Sequence, residues 1–274
     1  MASAKSSKPT NRIVLILGGK GGTGKTLFCL LTYYFLIKDG LNVIAYDSDV
    51  ENPEFHEYHA SSTHPVQLLN FMEVSEAKTF FTDLATKTPD VALFDMPGAH
   101  GQDMRSQIKK FGLFKIAEKL GYRVTIVTVL NNDYNTINSL ELMMGFCQEE
   151  ADYVAVKNQL WAQEESPFKR WNESPTRTRF VELNGIEIEM PVLDRSTCSE
   201  LHEGAYSFFQ LDQLSFGDQI LVESFLEMSA PQVELASPYI SSKRNGKGKK
   251  ATATTVTTAS KPLVAAVEEI GEQQ

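Results

Sequence analysis

Residues 18–26 have the composition of a loop that binds phosphate groups. Their sequence, Gly-Gly-Lys-Gly-Gly-Thr-Gly-Lys-Thr, combines five glycines with two lysines. Glycine lets the backbone curl so that successive N–H groups point into one hollow, where phosphate oxygens can accept their hydrogen bonds. The ammonium group of Lys25 and the hydroxyl of Thr26 add a positive charge and a ligand for a divalent cation. The stretch therefore predicts a site for a phosphate-bearing molecule.

The same residues match a known motif in the structural context that the motif requires. Residues 19–26 fit G-x-x-x-x-G-K-[ST], between an apolar run at 12–17 and a helical pattern at 23–40. The helix start adds the positive end of its dipole. We therefore predict a P-loop rather than an inert glycine-rich turn, with Lys25 at the β- and γ-phosphates of ATP and Thr26 on Mg²⁺. The residues predicted to bind the nucleotide here are Gly19, Gly21, Gly22, Thr23, Gly24, Lys25, Thr26 and Leu27.

Carboxylates follow two other apolar runs. Asp47 and Asp49 lie at the end of the run at 42–47, and Asp95 ends the run at 91–95 and precedes Pro97-Gly98. The carboxyl ends of parallel strands are where doubly wound sheets bind their ligands. Beside a P-loop, these aspartates predict a functional role at that ligand site; taken alone, they would be ordinary turn residues.

The predicted elements alternate between strands and helices. Strands are predicted at 12–17, 42–47, 91–95, 123–130, 152–158 and within 185–193. Helices are predicted at 23–40, 107–121, 134–149, 197–209 and 214–228. The strands are apolar throughout, as expected for a sheet covered on both faces. The predicted fold is α/β, with a doubly wound, mostly parallel sheet and helices on both faces.

Composition limits the remaining possibilities. The chain has 274 residues and a net charge of -9, so its surface as a whole is not a nucleic-acid footprint. Its three cysteines form no C-x-x-C pair, and no apolar run reaches membrane-spanning length, so we expect a cytoplasmic protein. We predict a flexible segment at 1–11, a nucleotide-binding domain at 12–238 and a disordered tail at 239–274, which is basic at 243–250.

The loop and the carboxylates resemble those of one ATPase family. Lys20, within Lys-Gly-Gly-Thr-Gly-Lys-Thr, resembles the early lysine of the deviant Walker A ATPases, which include ParA, Soj, MinD and the nitrogenase iron protein. The resemblance implies that Lys20 reaches phosphates bound by the partner subunit of a dimer. It also implies that Asp49 positions the attacking water, that Asp47 supports the Mg²⁺ shell, and that Asp95 acts on Mg²⁺, usually through water.

The resemblance extends to the γ-phosphate and the base. It implies that the Gly98 N–H senses the γ-phosphate, that Asn158 binds the adenine edge, and that Pro191 packs on the base. Val50 departs from the pattern, since many members carry proline there. The order of elements is similar over about residues 12–230, and the chain looks most like StbB- and TraL-type members.

The implied function is an ATP- and Mg²⁺-dependent homodimer switch. It would hydrolyse ATP to ADP and phosphate in plasmid or DNA partition, plasmid stability or conjugative transfer, with non-specific DNA or an adaptor protein as partner. An ATP-dependent small-molecule ligase and a non-hydrolysing nucleotide-bound adaptor are the alternatives. We expect no stable membrane insertion, because the apolar C-terminal segment is acidic. His56, His59 and His64 are interpreted as part of a loop that touches a partner rather than as zinc ligands.

Overall fold

A seven-stranded parallel sheet is the centre of the fold. The computed structural model describes residues 11–19, 21–98, 101–162 and 167–241. The strands are β1 (Asn11–Leu17), β2 (Val43–Asp47), β3 (Val66–Leu68), β4 (Val91–Asp95), β5 (Tyr122–Leu130), β6 (Ala151–Asn158) and β7 (Ile186–Met190). Their order is β3-β2-β4-β1-β5-β6-β7, and every pair of neighbours is parallel. The predicted fold class is confirmed.

Helices connect the strands. They are α1 (Lys25–Lys38), α2 (Glu54–Glu57), α3 (Val74–Lys87), α4 (Gly101–Phe111), α5 (Leu113–Leu120), α6 (Tyr134–Cys147), α7 (Lys169–Asn172), α8 (Pro175–Glu182), α9 (Arg195–Gly204) and α10 (Phe216–Ile240). Successive side chains of β1 enter different cores: Ile13 and Leu15 lie in one, Val14 and Ile16 in the other. This is why the strands read as continuous apolar runs. None of the helices in the described ranges is long and apolar enough to cross a bilayer.

Two helix predictions were wrong. The helix predicted at 107–121 is broken at Gly112, which has a φ of 64° and separates α4 from α5. The helix predicted at 214–228 continues to Ile240 through Pro231 and Pro238. Its last turn is held to the sheet, because Arg12 donates to the Pro238 carbonyl and the Thr125 hydroxyl donates to the Tyr239 carbonyl.

The ends of the chain fall largely outside the described ranges. Asn11 already belongs to β1, and residues 239 and 240 are helical. The described residues, up to 241, belong to one compact unit. The flexible segment before residue 11 and the tail beyond residue 241 lie outside the described residues and stay predictions.

The histidines after α2 pack within the protein. The His59 side chain is buried against the rings of Tyr33, Phe55 and Phe209. Its Nδ1 lies 2.8 Å from the His64 carbonyl, so Nδ1–H donates there and Nε2 is left without a partner among the described residues. The pKa of His59 is lowered to about 4, chiefly by burial; the bond to the His64 carbonyl opposes this shift, and the nearby imidazoles of His64 and His56 add to it.

This buried imidazole makes stability depend on pH. The folded pKa lies below the unfolded one, so stability is fully present above about pH 6.5 and is lost as the pH falls toward 4. We expect the titration of His59 to lower the free energy of unfolding by about 3 kcal/mol as the pH falls through that window. Urea unfolding at several pH values should show this slope, and His59→Gln should flatten it. An unchanged slope in the variant would contradict the assignment.

Candidate functional site

The P-loop joins β1 to the start of α1, and Lys25 folds back across it. A Cβ built on Gly18 would lie 2.8 Å from Lys25 Cδ and 2.9 Å from Thr23 Oγ1, so both side chains pack tightly on the loop. Lys25 is only 9% exposed. The buried Thr23 hydroxyl has no hydrogen-bond partner among the described residues. The loop is thus preformed around Lys25, at the positive end of α1.

Gly24 is required by both its conformation and its surroundings. Its φ is 98°, and a Cβ there would lie 2.6 Å from Asn158 Nδ2. Asn158 is buried, donates from Nδ2 to the Thr23 carbonyl (2.9 Å) and accepts from the Leu160 N–H (3.1 Å). The end of β6 therefore holds the P-loop backbone in place.

Substitution of Gly24 should damage the loop more than strain alone would. We expect Gly24→Ala to lower the free energy of unfolding by the roughly 1–2 kcal/mol that an alanine costs in the left-handed region, and by a further amount because its Cβ displaces Asn158. Nucleotide binding should weaken at least about tenfold. Gly40→Ala is the matched control, because Gly40 has a φ of 73° and nothing within 4 Å of its Cβ position. Denaturation and calorimetry should separate the two variants. Equal losses in both would show that the contact does not matter.

Thr26 and Asp95 form a pair of oxygen ligands at the base of the loop. The Thr26 hydroxyl donates to Asp95 Oδ2 over 2.8 Å. Asp95 Oδ1 is buried and accepts no O–H or N–H bond within the described residues. The charge of Lys25 and the weakly donating Cys29 thiol also act on this carboxylate. An ionised carboxylate in this position needs a cation. The donor set therefore fits Mg²⁺, which prefers hard oxygen ligands.

The electrostatics of Asp95 also fit a site for a bound cation. Burial, followed by repulsion from Asp47, raises the pKa of Asp95 to about 7. The two residues are paired in register across β2 and β4. A bound cation would favour the ionised form.

Asp47 organises the loop after β2. Its Oδ1 accepts from the Asp49 N–H and its Oδ2 from the His56 N–H, each over 3.0 Å. Burial raises the pKa of Asp47 to about 6, and these backbone bonds partly oppose the shift. Its role in the Mg²⁺ shell stays a prediction; its observed contacts fix the segment that carries Asp49.

A cavity of about 450 Å³ lies over the P-loop. Asp49 and Gly98 line it together with the loop and Asp95. The structure thus brings together most of the residues predicted from three separate stretches of sequence. They are Gly21, Gly22, Gly24, Lys25, Thr26, Leu27, Asp49, Asp95 and Gly98.

Comparison with known proteins places these features in a family. The family model described as the CobQ/CobB/MinD/ParA nucleotide binding domain matches residues 14–164, more than half of the chain. The chain belongs to this family. The family resemblance read from the loop and the carboxylates is thereby confirmed.

Individual relatives are distant. Protein MobD of Acidithiobacillus ferrooxidans is 26% identical over 208 residues, covering 76% of this chain and 89% of that protein. Protein TraL of Escherichia coli is 22% identical over 234 residues, covering 82% of this chain and 93% of that protein. One similar structure is an Archaeoglobus fulgidus nucleotide-binding protein in complex with ADP, with a TM-score of 0.49 and 15% identity, covering 73% of this chain and 89% of that one. Another is Pyrococcus horikoshii MinD complexed with Mg-ADP, with a TM-score of 0.48 and 15% identity, covering 80% of this chain and 95% of that one.

The structure does not place every residue that the family resemblance implied at the cavity. Lys20 is outside the described residues, so its reach toward a partner stays a prediction. Asn158 lies against the P-loop backbone, and Asn158 and Pro191 are not among the residues lining the cavity. Base recognition by these two residues also stays a prediction. Gly19, Thr23 and Asp47 support the site without lining it.

The cavity is also lined by residues that were not predicted from the sequence. They are Leu30, Asn52, Glu54, Tyr58, Cys198 and Leu201. Cys198 and Leu201 lie one turn apart on α9, far along the chain from the P-loop. The i, i+3 spacing predicts a shared helix face but does not indicate what that face meets.

Proposed function

We propose that this protein is a Mg²⁺-dependent ATPase whose nucleotide state controls dimer formation. The observation that carries the proposal is the Thr26–Asp95 pair at the base of a preformed P-loop, with Asp49 on the wall of the same cavity. Membership of a nucleotide-binding family supports it.

The phosphates would be held by backbone and side-chain groups of the loop. The N–H groups of residues 21–26 would donate to phosphate oxygens, and the Lys25 ammonium would bind the β- and γ-phosphate oxygens. Thr26 and Asp95 would hold Mg²⁺, which would neutralise phosphate charge. The Gly98 N–H, at the edge of the cavity, would donate to the γ-phosphate.

Asp49 would supply the hydrolytic function. Its Oδ1 accepts from the Asn52 N–H at 3.3 Å, which leaves the carboxylate able to orient a water beside the γ-phosphate. The water would attack phosphorus, the bond to the ADP oxygen would break, and the products would be ADP and inorganic phosphate. Asp47 contributes by fixing the backbone of Asp49.

We further propose a cytoplasmic role in plasmid or DNA partition, plasmid stability or conjugative transfer. Similarity to TraL supports this role. Lys20 would enter the partner subunit's phosphate site in the ATP-bound dimer, so that only that state binds DNA or an adaptor protein. Hydrolysis would then return the protein to the ADP-bound form.

Phosphate release measured with wild-type protein tests the enzymatic part. We expect slow release from ATP that requires Mg²⁺ and stops in EDTA. Tight ATP binding without any release would favour the non-hydrolysing adaptor. Release that depends on an added small carboxylic acid would favour the ligase.

A further inference from the structure

The outer face of α10 is apolar although it is exposed. Its inner face is apolar too and is buried in one of the two cores. Thirteen large apolar side chains are exposed among the described residues, and five of them belong to this one helix: Phe216, Ile220, Leu221, Met228 and Leu235. A helix that is apolar all round is normally covered on all sides. The outer face of α10 therefore has the composition of a contact surface.

A seven-residue spacing orders the side chains of this face. Leu221, Met228 and Leu235 recur at every seventh position, so they lie almost in line along the helix. Ser224 and Pro231 lie between them in the sequence and are also exposed. We call these five residues the α10 stripe. Its three large side chains span about 21 Å of helix, and large and small residues alternate along it as in the seam between two packed helices.

Carboxylates flank the α10 stripe along one side. Glu227 and Glu234 directly precede Met228 and Leu235, and Glu223 lies one turn before Glu227. All three glutamates are exposed, and none of them forms an ion pair with another described residue. α10 contains no lysine, arginine or histidine. A partner that covers the stripe therefore meets an apolar seam with a negative edge.

The α10 stripe is held in place by contacts to the rest of the fold. The Thr197 hydroxyl donates to Asp218 Oδ1 over 2.7 Å, which fixes the first turn of α10 to α9. The Gln232 side chain accepts from the Glu189 N–H over 2.9 Å, which fixes the second half of α10 to β7. None of the described residues that line the cavity over the P-loop belongs to α10. The stripe is thus a preformed surface of its own, which lowers the cost of ordering it on binding.

Charge distinguishes between the occupants that could cover this surface. A second copy of the chain would bring the same negative edge, on a helix without a base, in a molecule with a net charge of -9. Nucleic acid carries the same sign of charge along its backbone. A helix with lysine or arginine beside its apolar seam would instead pair with Glu227 and Glu234, as charged residues beside the seam do in coiled coils.

We propose that the α10 stripe docks an amphipathic helix of a different protein. That helix carries large apolar side chains along its seam and lysines or arginines where it meets Glu227 and Glu234. It needs about four turns to cover the distance from Leu221 to Leu235. The inference goes beyond the proposed function and requires neither nucleotide nor hydrolysis.

A synthetic peptide of about three heptads is the probe, with leucine at its two seam positions and lysine at the two positions beside the seam. Fluorescence anisotropy measures its binding to the whole chain without nucleotide, so that any occupant from the chain itself competes with it. The matched peptide carries glutamate in place of each lysine. We expect the lysine peptide to bind at least about ten times more tightly than the glutamate peptide. No binding of the lysine peptide, or equal binding of both, would overturn the inference.

Substitution at the centre of the stripe tests where the peptide binds. We expect Met228→Lys to weaken the lysine peptide at least about tenfold, because it places an unpaired charge in the apolar seam opposite a cationic helix. Leu142→Lys is the matched control, since Leu142 is an exposed leucine on α6, and it should stay within about twofold. Circular dichroism shows that both variants are folded. Equal affinities in wild type and Met228→Lys would overturn the proposed position.

The carboxylates and the competing occupant are tested separately. We expect the double variant Glu227→Gln, Glu234→Gln to bind the lysine peptide about three- to tenfold more weakly and with less dependence on salt. Unchanged affinity and salt dependence would overturn the charge pairing. A nucleotide-free dimer that Met228→Lys abolishes in light scattering would assign the stripe to a second copy and overturn the inference. Binding of an ATP analogue should be unchanged in Met228→Lys, so the nucleotide site and the α10 stripe are judged independently.

Discussion

Replacing Asp95 by asparagine should stabilise the protein and at the same time impair its binding of Mg²⁺-nucleotide. Asparagine keeps the size of the side chain and an oxygen for the Thr26 hydroxyl, but removes the buried negative charge beside Asp47. We expect Mg²⁺-dependent nucleotide affinity to fall about 10- to 100-fold. The free energy of unfolding without metal should rise by at least about 1 kcal/mol at neutral pH.

The pH dependence of the gain in stability distinguishes the removal of a buried charge from a change in packing. The folded pKa of Asp95, about 7, lies above the unfolded value near 4. The stability contributed by its protonated form is therefore complete below about pH 4 and is lost as the pH rises toward 7. The benefit of asparagine should be largest at neutral pH and vanish near pH 4. A variant that is less stable than wild type at neutral pH in EDTA would contradict the account.

Replacing Asp49 by asparagine should greatly slow turnover and leave nucleotide binding intact. Asparagine still accepts the Asn52 N–H bond, so the loop keeps its shape, but it loses the charge that orients and activates water. We expect hydrolysis to fall by about 10²–10⁴ and ADP affinity to change less than about threefold. Phosphate release and calorimetry on the same preparation measure both.

Glu51→Gln is the matched control for Asp49. Glu51 is exposed, carries the same charge two residues along and does not line the cavity over the P-loop. We expect its turnover to stay within about twofold of wild type. Equal losses in the two variants would show that turnover depends on the net charge of the loop rather than on the Asp49 carboxylate.

Most of the sheet was predictable because its strands are buried on both faces. The strand predicted at 42–47 agrees with β2 within one residue, and the one at 91–95 agrees with β4 at both ends. β3 was not predicted, because it has three residues and only Val66 is buried. Short edge strands of this kind carry too little apolar pattern to be recognised.

The helix errors have local causes. Gly112 can be tolerated inside a helix, and only its left-handed φ reveals a break there. Pro231 and Pro238 normally indicate that a helix has ended, yet α10 continues through both. Packing of this helix against the sheet, including the Arg12 bond to the Pro238 carbonyl, outweighs the local preference.

The phosphate-binding half of the site was predictable and the other half was not. Lys25 and Thr26 lie in one contiguous motif, and Asp49 and Asp95 follow apolar runs that end at the same sheet edge. Tyr58 and Leu201 belong to no motif and line the same cavity only through tertiary packing, 143 positions apart in the printed sequence. A single sequence contains no signal that pairs them.

The mass of the protein in solution tests the proposed switch most directly. Light scattering should be recorded with Mg-ADP and with a non-hydrolysable ATP analogue plus Mg²⁺, for wild type and for Lys20→Ala. We predict a dimer with the ATP analogue only, and its loss in Lys20→Ala while the variant still binds the analogue. A wild-type protein that binds the analogue yet keeps the same mass in both states would contradict the dimer switch.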